Sequence, residues 1–94
     1  MTYFEETRAL LVHNLGSHRV DEDLLYLYTL LVLTTGTGTT RENVHDAWAA
    51  WRTVTRPDHP ALVPYDALTP QVQAYDGPYA DAIRQTAVVL RAAA

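Results

Sequence analysis

The 94-residue chain has no cysteine and no lysine, and Ser17 is its only serine. The missing thiols remove disulfides, thiolate nucleophiles, Cys-based zinc sites and iron–sulfur clusters in one step. The fold must therefore rest on packing or on self-association. The missing lysine leaves no side chain for the phosphate-reaching role of a P-loop, and no G-x-x-x-x-G-K-[ST] string occurs. No G-x-S-x-G surrounds Ser17, so the ingredients for nucleophilic catalysis are thin. The four histidines His13, His18, His45 and His59 show neither H-x-x-x-H nor H-E-x-x-H spacing. The sequence is read as a non-enzyme with no metal and no cofactor.

Positive charge is also scarce. Seven arginines face eleven acidic residues, for a net charge of −4. A nucleic-acid partner is not expected, because neutralising phosphates needs a basic face. The longest apolar stretch, Leu24 to Leu33, is interrupted by Thr29 and is about half of the ~20 residues that span a bilayer. No membrane partner is expected. No basic segment followed by an apolar run opens the sequence, so a cytoplasmic location is the expectation. At this length, with 48% apolar residues, one domain with one modest core is expected over 1–94.

What is present reads as mainly α: about four helices and a proline-rich extended strap, with room for a short β element in the strap. Tyr3, Phe4, Ala9 to Val12 and Leu15 form an apolar stripe opposite Glu5, Glu6 and Arg8, with Gly16 as a left-handed stop. A second helix opens on Asp21-Glu22-Asp23, with Val20 as a staple, and its body from Leu24 to Leu33 is apolar nearly all round. In so small a chain such a helix is hard to bury on every side, which predicts a homodimer. Residues 1–40 are read as an N-terminal helical hairpin.

The Thr34 to Thr40 segment reads first as a helix stop and connection, and second as a backbone phosphate cradle. A third helix starts at Thr39 or Thr40, with Thr39 and Glu42 spaced as a capping box. Its inward face is Val44, Ala47, Trp48 and Trp51, while His45, Trp48 and Arg52 share an adjacent edge. Pro57, Pro60, Pro64 and Pro70 then forbid a long helix and predict an ordered extended strap. Thr69-Pro70 opens a short helical turn. The last helix begins near Asp76-Gly77-Pro78 and turns Tyr79, Ala82, Ile83, Ala87 and Leu90 inward.

The strings "NVHDAWAAWR" and "HPALVPYDAL", followed by Asp76 ahead of the Tyr79/Ile83 helix, resemble the ryanodine-receptor repeat (RyR) domain over about residues 41 to 90. A Gly-Trp-x-Tyr-Gly segment usual in that family is replaced here by Thr53 to Asp58, and its usual glutamate by Asp46. The resemblance implies a helical unit over 41–94 that occurs in pseudo-twofold pairs, which a lone copy would recreate as a dimer. It also implies a cleft lined by Trp48 for a nucleotide-derived ligand: an adenine nucleotide, an ADP-ribose derivative or a cyclic nucleotide. Similar bacterial and phage proteins imply sensing or sequestering of such a signal, for instance as an anti-defence device.

The ligand-binding set expected on that basis is Trp48 stacking on a base, Arg52 reading a phosphate, and His45, His59 and Tyr65 as polar neighbours. Each also has a plainer reading. Trp48 and Trp51 fit a core, and His59 fits a bond to a local backbone group. Tyr65 fits a packed ring, and His45 fits a loop cap. The alternative function is a protein-interaction module acting through homo-oligomerisation, to which Tyr26 and Tyr28 would contribute.

Overall fold

The computed structural model describes residues 1–93. Four long helices and one short one follow in order: α1 (Tyr3–Leu15), α2 (Glu22–Thr34), α3 (Arg41–Thr55), α4 (Pro70–Gln73) and α5 (Gly77–Ala93). No strand is present among the described residues, so the strap carries no β element. Its prolines and local turns satisfy the backbone without a ladder: His59 N bonds Arg56 O, Leu62 N bonds His59 O, and a single 3-10 turn covers Tyr65–Ala67.

The helix starts follow from capping chemistry. Thr2 accepts from Glu5 N while Glu5 returns a bond to Thr2 N, a reciprocal box that opens α1. Asp21 caps α2 through Asp23 N, and Thr69 caps α4 ahead of Pro70. The box at α3 is one residue later than the spacing suggested. Thr40 pairs with Asn43 there, and Thr39 is buried instead, its hydroxyl on Gly36 O and Thr35. Gly16 ends α1 at φ 61°, in the left-handed region where only glycine sits without strain.

Pro78 explains why α4 and α5 are separate helices. Its missing N–H cannot bond Ala74 O, so Gly77 N–H takes that carbonyl in a tighter 3-10 turn over Ala74–Asp76. The tight turn sets the direction in which Tyr75, Asp76 and Tyr79 project.

The core joins Leu11 and Leu15 of α1, Leu24, Leu25, Tyr28 and Val32 of α2, Val44 of α3, and Ala80, Ile83 and Ala87 of α5. α5 is the central element and touches α1, α2 and α3. Asn14 reaches across to Thr86 at 2.9 Å, and Thr86 bonds Ala82 O, so the buried hydroxyl is satisfied twice. α5 also fastens the Thr-Gly connection: Arg84 donates to Thr39 O at 2.8 Å and Arg91 reaches the Thr37 hydroxyl at 3.4 Å. That segment is a latched corner, which accounts for its composition as a connection.

Two features of the helices differ from the periodic pattern. Tyr3 and Val12 are exposed, while Thr7 is buried on α1 with its hydroxyl on Tyr3 O. On α2 the apolar wrap leaves Tyr26, Leu30 and Leu33 exposed at i, i+4 and i+7. No helix among the described residues is long and apolar enough to cross a membrane.

Candidate functional site

The strap lies against α3 and is tied there by one buried side chain. His45 is 3% exposed, and its Nε2 lies 2.7 Å from Val63 O. A carbonyl only accepts, so Nε2 carries the proton and donates. His45 stacks beside Trp48 one turn on, with ring centroids 5.5 Å apart, and Tyr65 approaches it from the strap at 6.1 Å. The strap is thereby held off the helix bundle by a row of rings.

Between the strap, α2, α3 and the start of α5 is an open cleft of about 550 Å³, within the ~300–1,000 Å³ usual for small-molecule sites. His45, Trp48, Arg52 and His59 all line it, so four of the five expected residues share one cavity. Tyr65 does not line it. It stands behind His45, and its carbonyl accepts from Gln73 Nε2 at 2.9 Å, which braces strap against α4.

The tautomer of His59 is fixed as well. Ala61 N–H donates to His59 Nδ1 at 3.0 Å, so in the neutral ring Nε2 carries the hydrogen. The ring meets Trp48 edge-on at 5.0 Å. His59 therefore has the local backbone bond that its place before Pro60 suggested, and it also lines the cleft.

Sequence reasoning missed Arg19, Asp21, Tyr28, Tyr75, Asp76 and Tyr79, which also line the cleft. Tyr28 lies in the all-apolar body of α2, where periodicity cannot mark one face. Asp76 projects from the 3-10 turn forced by Pro78, so helical spacing counted from α5 does not reach it. The Gly77-Pro78 pair beside an acid was the available signal.

Asp76 has no hydrogen bond or ion pair to another described residue. Burial raises its carboxyl above the ordinary 3.8, and the opposing pull of His45 and Arg41 does not cancel that. Burial likewise pushes the Tyr28 hydroxyl up, with Asp76 and Tyr79 adding to the effect. The Arg41 guanidinium roofs the start of α5 so closely that a Cβ added at Gly77 would meet its Nη2 at 3.4 Å.

Arg52, at the other end of α3's exposed edge, lies over the Trp51 ring with Cζ 4.4 Å from the centroid. Its Nε is buried without a partner, and its Nη1 reaches only the Thr55 hydroxyl at 3.4 Å. Among the described residues no three His, Asp or Glu side chains are grouped to hold a metal. The arrangement suits noncovalent capture of a flat molecule by rings, with the donors Arg19 and Arg52 and the acceptors Asp21 and Asp76 among its lining.

Asp76 gives the site a measurable stability cost. A folded-state pKa above the unfolded value means that the folded chain holds the proton more tightly. That stabilisation is complete below pH 3.8 and is lost as pH rises through the folded value. Asp76→Asn should therefore raise the melting temperature at pH 7, with the advantage shrinking toward pH 4 and vanishing below it. Melting curves of both proteins across that range check this, and an advantage independent of pH would contradict it.

The resemblance of residues 41 to 90 to the ryanodine-receptor repeat does not hold, because a different and uncharacterised family accounts for nearly the whole chain. The physical reason for the likeness is local. His59 caps its own turn through Ala61, and Pro60 and Pro64 stiffen a strap, so the string answers to backbone needs that arise in any chain with such a strap. The pseudo-twofold pairing, nucleotide-derived ligand, phage origin and anti-defence role that the resemblance implied lose that basis with it. No curated protein and no solved structure matches the chain. The chain belongs to the family described as Domain of unknown function (DUF7701), whose family model matches residues 2–88.

Proposed function

We propose that the domain is a non-enzymatic binder of a small nucleotide-derived ligand, which it senses or sequesters in the cleft between strap and α3. The observation that supports this reading is the convergence of Trp48, His45 and His59 with the tyrosines of α2 and α5 on one open cavity beside an arginine. A cavity of that kind offers ring faces to a planar base. Stacking contributes about 1–3 kcal/mol per base, and an arginine fork on phosphate adds direction. A micromolar site needs no basic patch. A cytoplasmic setting is proposed with it.

The Trp48 indole is the platform in this reading. In a thermal-shift and titration series over mono-, di- and cyclic nucleotides and ADP-ribose derivatives, at least one class should raise the melting temperature. Trp48→Ala should then weaken that ligand about 5- to 150-fold while circular dichroism stays helical. Binding undiminished in the variant would contradict the assignment.

A second reading is favoured by a separate observation, the exposed stripe Tyr26, Leu30 and Leu33 on α2, with Phe4 set against Tyr26 at 4.6 Å. An unpartnered apolar stripe suits a homodimer interface. Equilibrium sedimentation at micromolar concentration should show a dimer that Leu30→Glu dissociates, and monomer alone in the parent chain removes this reading.

A further inference from the structure

Arg19, Asp21, Arg52 and Asp76 line the cleft; Arg19 and Asp21 are exposed, whereas Arg52 and Asp76 are half-buried and opposite in charge. Arg52 forms no salt bridge among the described residues, and its buried Nε lacks a hydrogen-bond partner. Asp76 likewise has no bonded partner and is held half-buried. They occupy opposite ends. Asp76 lies within electrostatic reach of His45 and Arg41, in the first turns of α3. Arg52 is seven residues beyond His45 on the same helix, a rise of about 10 Å at 1.5 Å per residue, with Trp48 between them.

Of the two arginines that line the cleft, Arg52 is the one with a buried nitrogen left without a partner among the described residues, so its end offers an oxyanion an unmet donor. The guanidinium rests on Trp51 and is held otherwise by one long bond to Thr55, so it can turn toward a ligand at little cost. His59 Nε2–H, left free by the bond at Nδ1, is a further donor in the same cavity. A carboxylate at the other end accepts hydrogen bonds and repels oxyanions. The two ends therefore demand different chemistry from one ligand.

We propose that the cleft selects a nucleotide whose base carries an exocyclic amino group, with that amino group on the Asp76 carboxylate and the phosphate on Arg52 while the base lies against Trp48. This rests on the nucleotide reading of the same site. A purine with hydrogen in place of the amino group would leave the carboxylate without that donor, and a site whose buried polar group is left unpaired discriminates strongly.

Isothermal titration of the whole chain at pH 7 with AMP, purine riboside 5′-monophosphate and adenosine separates the possibilities without any mutation. AMP and purine riboside 5′-monophosphate differ at the amino group, and AMP and adenosine differ at the phosphate. AMP should bind at least about tenfold more tightly than either of the others. Arg52→Met should remove the preference over adenosine and keep the preference over purine riboside 5′-monophosphate, while Asp76→Leu should do the reverse. Equal binding of AMP and purine riboside 5′-monophosphate, or of AMP and adenosine, overturns the proposal and leaves the nucleotide reading standing. Binding of none of the three removes the nucleotide reading, and the proposal with it.

Discussion

The bond from buried His45 to the Val63 carbonyl ties the strap to α3 and so shapes the cleft beside it. Proline-rich chain between two helices has few backbone donors with which to dock itself. One imidazole on α3 supplies the missing donor, and the strap is fixed at the distance that a His and a Tyr ring allow. The cleft is the space that this spacing leaves. Since no disulfide exists to close the loop, packing and this donor keep the strap in place.

The helical half of this arrangement was legible in the sequence because capping residues and apolar spacing act over three or four residues. Asp21, Thr40 and Thr69 mark real helix starts, and Gly16 marks a real stop. The strap was legible as extended because four prolines leave little else. Its lack of a strand was not, since a strand depends on a neighbour that local chemistry cannot name.

The site was partly legible for the same physical reason. His45, Trp48 and Arg52 share one edge of α3, so helical geometry alone groups them. Tyr65 was placed with them by sequence, but it packs its ring near His45 and does not line the cleft, a matter of tertiary packing that spacing does not encode. Asp76 and Tyr28 reach the cleft through tertiary packing of α5 and α2, which no spacing within a single segment encodes. The family resemblance misled because a turn-capping histidine and two prolines are a local solution, and local solutions recur without common descent.

Charge gives the cleft its polarity. The buried, unpartnered Arg52 Nε and the half-buried Asp76 carboxyl cost stability in the free chain, a cost that a bound ligand carrying the complementary groups would offset. The most direct measurement of this account is a crystal structure of the chain grown with AMP. The account predicts the base in the cleft against Trp48, the amino group on Asp76, and Arg52 swung from Trp51 onto the phosphate. An empty cleft, or AMP bound away from the strap, would contradict it.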